Sequence, residues 1–324
     1  MRADSHKSAL AGHTRTGDTM KIGLPKALLY YRYGILWETF FRALDCETVT
    51  SGDTCEALLA AGSKCAIDEN CLPLKIFLGH IQGLAGRCDC ILVPRFAKTG
   101  RNEEYCVRLW GLPDLVQNTF PALALLTYNL SSNRHGAEQE EFIKLGCALG
   151  KTPLASRRAY RLAQTAQDEH DAKLIEAQAQ LSEKPGLKIL LASQPYLLHD
   201  PFITGPLMQM IQSQGGTVLF SDRYNREACR KRSETIAQDL YWTMNRETLG
   251  AIAMNRGKAD GIILLTAFPC GTDSLVNELV MRRVKDVPMI QLLLDEQQSQ
   301  TGLETRIESF MDILQQRRAY VQTH

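Results

Sequence analysis

The sequence predicts an α/β protein with two open, mostly parallel-sheet domains joined by a helical connector. Strand-like and helix-like segments alternate in both halves, and a helical stretch rich in Ala, Gln, Glu and Lys separates the halves. The 324 residues also suffice for two domains that each bury a core. We expect a polar tail at residues 1–19, a first domain at 20–135, the connector at 136–185 and a second domain at 186–324.

The first half begins with a short apolar strand, Lys21–Leu24, followed by a helix whose apolar residues recur at helical spacing. A second strand is predicted near residues 46–50. Helices are predicted over residues 56–61 and after Cys71, and the run DCILVPR predicts a strand over residues 89–95. Strands that alternate with helices of this length are typical of a parallel sheet.

Residues 138–184 predict two helices, of which the second is long and amphipathic. The second half then opens with the strand GLKILLAS, and DGIILLTAF is its most strand-like run. Predicted helices follow each of these strands, and VPMIQLLL and LETRIESFMDILQQRRAYV add a last strand and a closing helix. This order indicates Rossmann-like or flavodoxin-like sheets, whose ligands bind outside the carboxyl ends of the strands.

The charge balance gives no electrostatic reason to expect nucleic acid or an anionic membrane as a partner, because 37 basic residues face 36 acidic ones. No run approaches the roughly 20 apolar residues of a membrane span, and the first residues lack the apolar core of a secretory signal. We therefore expect a cytoplasmic protein whose partners are small molecules or proteins. Met20 is a candidate start of the chain besides Met1.

Several catalytic motifs are missing from the sequence. It contains no GxxxxGK[ST] phosphate loop, no GxGxxG after the first strand, and no HExxH, GxSxG or CxxC. Its ten cysteines are many for a compartment in which disulfides do not persist. They indicate either thiolate ligands or small buried apolar side chains.

Three cysteines share one local context, because Cys71, Cys106 and Cys270 each lie at or near a predicted helix amino end. A helix amino end carries a partial positive charge and stabilises the thiolate that acts as a ligand or nucleophile. Three such thiolates would leave one iron of a cluster open to a substrate. Three unrelated buried thiols remain the alternative.

The segments around these cysteines resemble the activase-related branch of the 2-hydroxyacyl-CoA dehydratase superfamily. The segments in question are IGLPKALLYYRYGILWETFFRALDCE, AIDENCLPLKIFLGHI, DCILVPRFAKTGRNEEYCVRLWGLPDLV, DGIILLTAFPCGTDSLV and LLLDEQQSQTGLETRIESF. The resemblance implies that Cys71, Cys106 and Cys270 bind a [4Fe-4S] cluster or a sulfide-linked double cubane in a cleft between α/β domains. It also implies an ATP-hydrolysing activase, itself an iron–sulfur protein, as the electron donor.

Two carboxylates near these cysteines are candidate catalytic groups. Glu69 precedes Cys71, and Asp273 follows Cys270, where it is equally a candidate helix cap. Other residues have both a structural and a functional interpretation. They are His80 as a core or outer-sphere histidine, Lys75 and Arg95 as solvated or charge-compensating cations, and Tyr30 and Tyr31 as packing or cleft-lining rings.

The resulting hypothesis is an iron–sulfur redox protein that accepts low-potential electrons from the activase and passes them to a small-molecule substrate. An acyl-CoA thioester is one such substrate. Because the chain has no phosphate loop, the ATP step belongs to the partner. Two alternatives remain: an electron-carrying or scaffold subunit, and a cluster-free α/β binding protein. Pairing with a sister subunit or with a second copy of the chain is also open.

Overall fold

The computed structural model describes residues 19–100, 103–132, 134, 136–296 and 300–323. The tail predicted at residues 1–19 lies outside the described residues except for Thr19. The fold is mixed α/β with mostly parallel sheets, as predicted. The chain divides into two compact units. Unit 1 comprises Met1–Ile67 and Leu74–His170, and unit 2 comprises Asp68–Pro73 and Asp171–His324.

The main sheet of unit 1 has the strand order β2-β1-β3-β6, and all its pairs are parallel. Its strands are β1 (Lys21–Leu24), β2 (Glu47–Thr50), β3 (Cys90–Leu92) and β6 (Leu125–Leu126). The helices up to residue 182 are α1 (Tyr30–Arg42), α2 (Glu56–Cys65), α3 (Leu72–Leu84), α4 (Val107–Trp110), α5 (Leu112–Thr119), α6 (Ala137–Ala148) and α7 (Pro153–Ser182).

A second, three-stranded sheet in unit 1 was not predicted. It has the order β5-β4-β7 and consists of β4 (Arg95–Gly100), β5 (Glu103–Glu104) and β7 (Asn129–Ser131). The single strand predicted over residues 89–95 was wrong in this respect, because β3 ends at Leu92 and β4 begins at Arg95. Pro94 separates them, since proline has no N–H to donate to a ladder.

Two helices of unit 1 approach each other at glycines. A Cβ atom at Gly62 of α2 would lie 1.8 Å from the carbonyl oxygen of Lys75, and one at Gly79 of α3 would lie 2.0 Å from that of Leu58. These distances are far below a van der Waals contact, so the two backbones touch at a point where no side chain fits. The contact fixes α3, the helix that Cys71 precedes.

The sheet of unit 2 has the order β11-β10-β8-β9, again with parallel pairs throughout. Its strands are β8 (Leu187–Ala192), β9 (Gly216–Phe220), β10 (Gly261–Ala267) and β11 (Met289–Leu294). The remaining helices are α8 (Pro195–Leu198), α9 (Pro201–Ser213), α10 (Arg226–Ser233), α11 (Thr243–Asn255), α12 (Gly271–Arg283) and α13 (Gln300–Thr323).

The core of unit 2 lies around its central strands. All residues of β8 and β10 are buried, which is typical of parallel strands covered on both faces. Apolar side chains such as Leu190, Leu264, Ile252 and Val280 form one buried cluster there. No helix in the described part of the chain combines the length and the apolar character that a membrane crossing requires.

A side chain of α7 forms hydrogen bonds with the backbone of the edge strand β9. The amide of Gln178 donates from Nε2 to the carbonyl oxygen of Phe220 at 2.9 Å, and its Oε1 accepts the Phe220 N–H at 2.7 Å. Gln178 is 2% exposed, so this buried amide replaces the partner strand that an edge residue lacks.

The main sheet of each unit has the same strand order. Each unit also contains a hydrogen bond from a backbone N–H to a serine hydroxyl at the same place in this order. Ser51 follows β2, and its Oγ accepts the N–H of Lys26 at 2.8 Å. Ser221 follows β9, and its Oγ accepts the N–H of Ser193 at 3.2 Å. In each unit this contact joins the carboxyl ends of the first and second strands. The first strand also pairs with the third, so each sheet has a point at which the strand order reverses.

Candidate thiol and carboxamide site

The carboxyl ends of β8 and β10 adjoin at the reversal point of the unit 2 sheet. β8 leads into Ser193 and Gln194, and β10 leads into Phe268, Pro269 and Cys270. The hydroxyl of Ser193 donates to the carbonyl oxygen of Leu265 at 2.8 Å, which ties the two strand ends together. Open α/β sheets bind ligands at such a point.

Cys270 is the N-cap residue of α12. Its backbone N–H donates to the carbonyl oxygen of Ala267 at 2.7 Å, and its Sγ lies 3.4 Å from Oγ1 of Thr272. The preceding Phe268–Pro269 peptide bond is cis. Burial, followed by the nearby carboxyl group of Asp273, raises the pKa of the Cys270 thiol far above its ordinary value. The thiol is therefore protonated at neutral pH unless a cation compensates the thiolate.

The carboxyl group of Asp273 is held by two amides. Its Oδ1 accepts from Nε2 of Gln194 at 2.8 Å and from Nδ2 of Asn245 at 2.7 Å. Asp273 is 4% exposed, and burial raises the pKa of its carboxyl group. The cap of α12 is the residue Cys270, so Asp273 lies inside the first turn of the helix.

This polar cluster has hydrogen-bonding capacity that the described residues do not use. Oδ2 of Asp273, Oε1 of Gln194 and Oγ1 of Thr243 are buried and have no hydrogen-bond partner among the described residues. Unsatisfied buried polar atoms are rare and commonly face a bound water, ion or ligand. The cluster therefore fits a bound polar group beside Cys270.

The segment that contains Cys71 lies next to the segment that contains Cys270. Residues Asp68–Pro73 belong to unit 2, and the N–H of Leu72 donates to the carbonyl oxygen of Phe268 at 3.2 Å. Cys71 is half-buried and directly precedes α3. The preceding Glu69 is exposed. The backbone segments that contain two of the three cysteines singled out in the sequence are therefore adjacent in unit 2.

Cys106 lies in unit 1 and is the N-cap residue of the short helix α4. Its Sγ accepts the N–H of Arg108 at 3.4 Å. Arg95 fixes the other end of α4, because its Nη1 donates to the carbonyl oxygen of Trp110 at 2.7 Å. The same guanidinium forms an ion pair with Asp114 at 2.7 Å. Arg95 is therefore a structural cation of unit 1.

The other cysteines do not form a comparable arrangement. All ten lie in the described part of the chain, and none is in a disulfide. Cys46, Cys90 and Cys229 are buried, and burial raises the pKa of the Cys90 thiol to about 12. Cys55 and Cys147 are exposed. Within the described ranges, no group of three or more His, Cys, Asp or Glu residues is positioned to hold a metal ion.

The remaining candidates have structural roles. His80 is fully buried, and its ring nitrogens bond to the hydroxyls of Ser51 at 2.6 Å and Thr54 at 2.9 Å. Burial lowers the pKa of His80 to about 4, so the ring is neutral at pH 7. The hydroxyl of Tyr30 donates to Glu38 at 2.5 Å, which is a packing contact on α1. Lys75 is buried on α3.

Gln194 and Asn245 were not predicted as site residues from the sequence. Gln194 directly follows a buried strand, so the rule that ligands bind at the carboxyl ends of parallel strands would have identified it. Asn245 lies near the start of α11, and only its distance to Asp273 reveals it.

Comparison with known protein families shows the family of this chain. The chain matches the model of the family described as CoA enzyme activase uncharacterised domain (DUF2229) over residues 21–223, which is more than half of its length. The matched range includes Cys71 and Cys106 and ends before Cys270. No curated protein matches the chain.

Proposed function

We propose, since the chain belongs to the CoA enzyme activase uncharacterised domain family, that it is an iron–sulfur redox component of an ATP-driven electron-transfer system. In this system it accepts electrons from an activase and passes them to a small-molecule substrate. We propose an acyl-CoA thioester as the substrate class, since the family description refers to a CoA enzyme.

The observation that carries the proposal is the hydrogen bond between Leu72 and Phe268. It holds the segments of Cys71 and Cys270 together at the reversal point of a parallel sheet, where such folds bind ligands. The buried polar atoms of Asp273 and Gln194 that lack partners among the described residues lie at the same strand ends.

Cys71, Cys106 and Cys270 are the proposed cluster ligands. Each thiol directly precedes a helix, and the backbone N–H groups of a helix amino end stabilise a thiolate. A [4Fe-4S] or double-cubane cluster would supply one-electron transfer at low potential. Gln194 and Asn245 orient the carboxyl group of Asp273 beside Cys270, where it can hold a proton at Oδ2.

The test is anaerobic purification followed by iron and sulfide determination and an absorption spectrum. We expect brown protein with about four iron atoms per chain for a single cubane and about eight for a double cubane. Serine variants of Cys71, Cys106 and Cys270, made one at a time, should lose or destabilise the chromophore. Cys46→Ser and Cys147→Ser are matched controls and should retain it. Protein without iron, or colour that survives all three ligand changes, would overturn the proposal.

A further inference from the structure

Unit 2 contains a groove that the cysteine site does not use. Its volume is about 650 Å³, which lies within the range of small-molecule pockets. One wall is a face of α9, and the opposite wall is the edge strand β9. Leu181, Leu198, Met208 and Val218 supply aliphatic lining. The lining positions of α9 run from Pro201 to Gln212, so the groove is roughly 16 Å long at 1.5 Å per helical residue.

Two basic side chains, Arg223 and Lys184, line the groove together with His199. Among the described residues, no carboxylate lines it. Asp222 lies outside the lining, 2.7 Å from Nε2 of His199, and the charges of His199 and Arg223 hold the pKa of the Asp222 carboxyl below its ordinary value despite burial.

Arg223 is attracted by the neighbouring Asp222 carboxylate but keeps a hydrogen-bond donor that the described residues do not use. Its guanidinium carbon lies 4.4 Å from the centroid of the Phe220 ring, so the ring supports one face of the cation. Nε of Arg223 is buried and has no hydrogen-bond partner among the described residues. Burial lowers the pKa of the Arg223 guanidinium, which reflects the cost of keeping this charge away from water. A planar oxyanion is the partner that a guanidinium recognises best.

We propose that this groove binds an aliphatic monocarboxylate. The carboxylate binds the guanidinium of Arg223, and the alkyl chain lies along α9 against Leu198 and Met208. An apolar channel with a few polar groups at one end is the usual form of such a site. The inference goes beyond the redox proposal and does not depend on it, because the groove contains no cysteine and binding requires no iron.

The test is calorimetric titration of the full-length protein with octanoate. We expect saturable binding with one site per chain, and binding of 1-octanol at least about tenfold weaker because it lacks the charge that Arg223 pairs with. Arg223→Gln should weaken octanoate binding by about tenfold or more, and Arg223→Lys should restore part of it. Arg282→Gln, on an exposed arginine of α12, is the matched control and should bind octanoate like the unmodified protein.

A second pair of variants tests the groove without removing a charge. A Cβ atom at Gly205 on α9 would meet nothing within 4 Å, so larger side chains fit without strain and improve helix propensity. Gly205→Leu should fill the groove and abolish octanoate binding, whereas Gly205→Ala should leave most of it. Equal affinity in Gly205→Leu, in Arg223→Gln and in the unmodified protein would overturn the proposal, as would the absence of saturable binding.

Discussion

The N–H of Leu72 donates to the carbonyl oxygen of Phe268 at 3.2 Å and joins two segments that lie almost 200 residues apart in the sequence. Cys71 precedes the donor, and Cys270 follows the acceptor by two positions. Two cysteines at helix amino ends therefore lie in adjacent segments near the carboxyl end of β10 in unit 2. Reconstitution with iron and sulfide tests this arrangement independently of turnover.

Iron in the reconstituted protein should protect Cys71 and Cys106 from alkylation by iodoacetamide, because a thiolate bound to iron is not a free nucleophile. Cys270, whose pKa burial raises, should react slowly with and without iron. The exposed Cys55 and Cys147 should react at the same rate with and without iron. Peptide mass spectrometry after brief alkylation measures all these cysteines in one experiment, and unchanged labelling of Cys71 and Cys106 in iron-loaded protein would contradict the ligand assignment.

Gly62→Ala should destabilise unit 1 by about 3 kcal/mol or more, because the added methyl group would lie 1.8 Å from a backbone oxygen that cannot move away alone. Gly83→Ala on α3 is the control. Its Cβ would meet only the mobile end of Leu58 at 3.3 Å, and the change should be neutral or slightly stabilising. Urea denaturation followed by circular dichroism gives both values. Similar stabilities of the two variants would show that α2 and α3 do not touch at Gly62.

Gln178→Ala should destabilise unit 2 by roughly 1–3 kcal/mol, because it leaves the buried N–H of Phe220 unpaired and leaves its carbonyl only the N–H of Arg223. Gln180→Ala changes an exposed residue of the same helix and should alter the free energy of unfolding by less than about 0.5 kcal/mol. The comparison requires only denaturant unfolding of both variants. Equal effects would mean that Gln178 does not close the edge of β9.

His80 should make unit 1 less stable at acid pH. Its folded-state pKa of about 4 lies below the ordinary value of 6.5, so the unfolded chain binds more protons between these limits. The contribution is fully present above pH 6.5 and is lost progressively as the pH falls towards 4, by roughly 3 kcal/mol in total.

His80→Gln removes this titration and should flatten the pH dependence of the unfolding free energy between pH 4 and 6.5. Gln cannot satisfy both Ser51 and Thr54, so the variant should also be less stable at pH 7. Denaturant unfolding at several pH values measures both effects. A pH profile parallel to that of the unmodified protein would contradict the assignment of a neutral buried imidazole.

The sheet of unit 2 was predictable because its strands are largely apolar runs separated by helices. GIILLTA, for example, became β10 with every residue buried. The small sheet β5-β4-β7 was not predictable in this way. Its strands are short and mixed in polarity, and their pairing depends on contacts between Arg95 and Asn129 that local sequence does not encode.

Cys270 and Asp273 of the candidate site were predictable from the sequence, but the groups that surround them were not. A cysteine between a strand and a helix is visible in the sequence, and Cys270 lies where that pattern placed it. The partners of Asp273 were not visible, because Gln194 and Asn245 come from two other elements and meet the carboxyl group only in the folded sheet. Likewise, the adjacency of Leu72 and Phe268 is a tertiary contact without a local signal.

The contacts of Ser51 and Ser221 accompany a strand order that is common to both sheets. After the third strand, unit 1 has Arg95 bonded to its own helix, whereas unit 2 has Cys270 at the same stage of the topology. One strand order therefore positions a structural cation in one sheet and a candidate thiol ligand in the other.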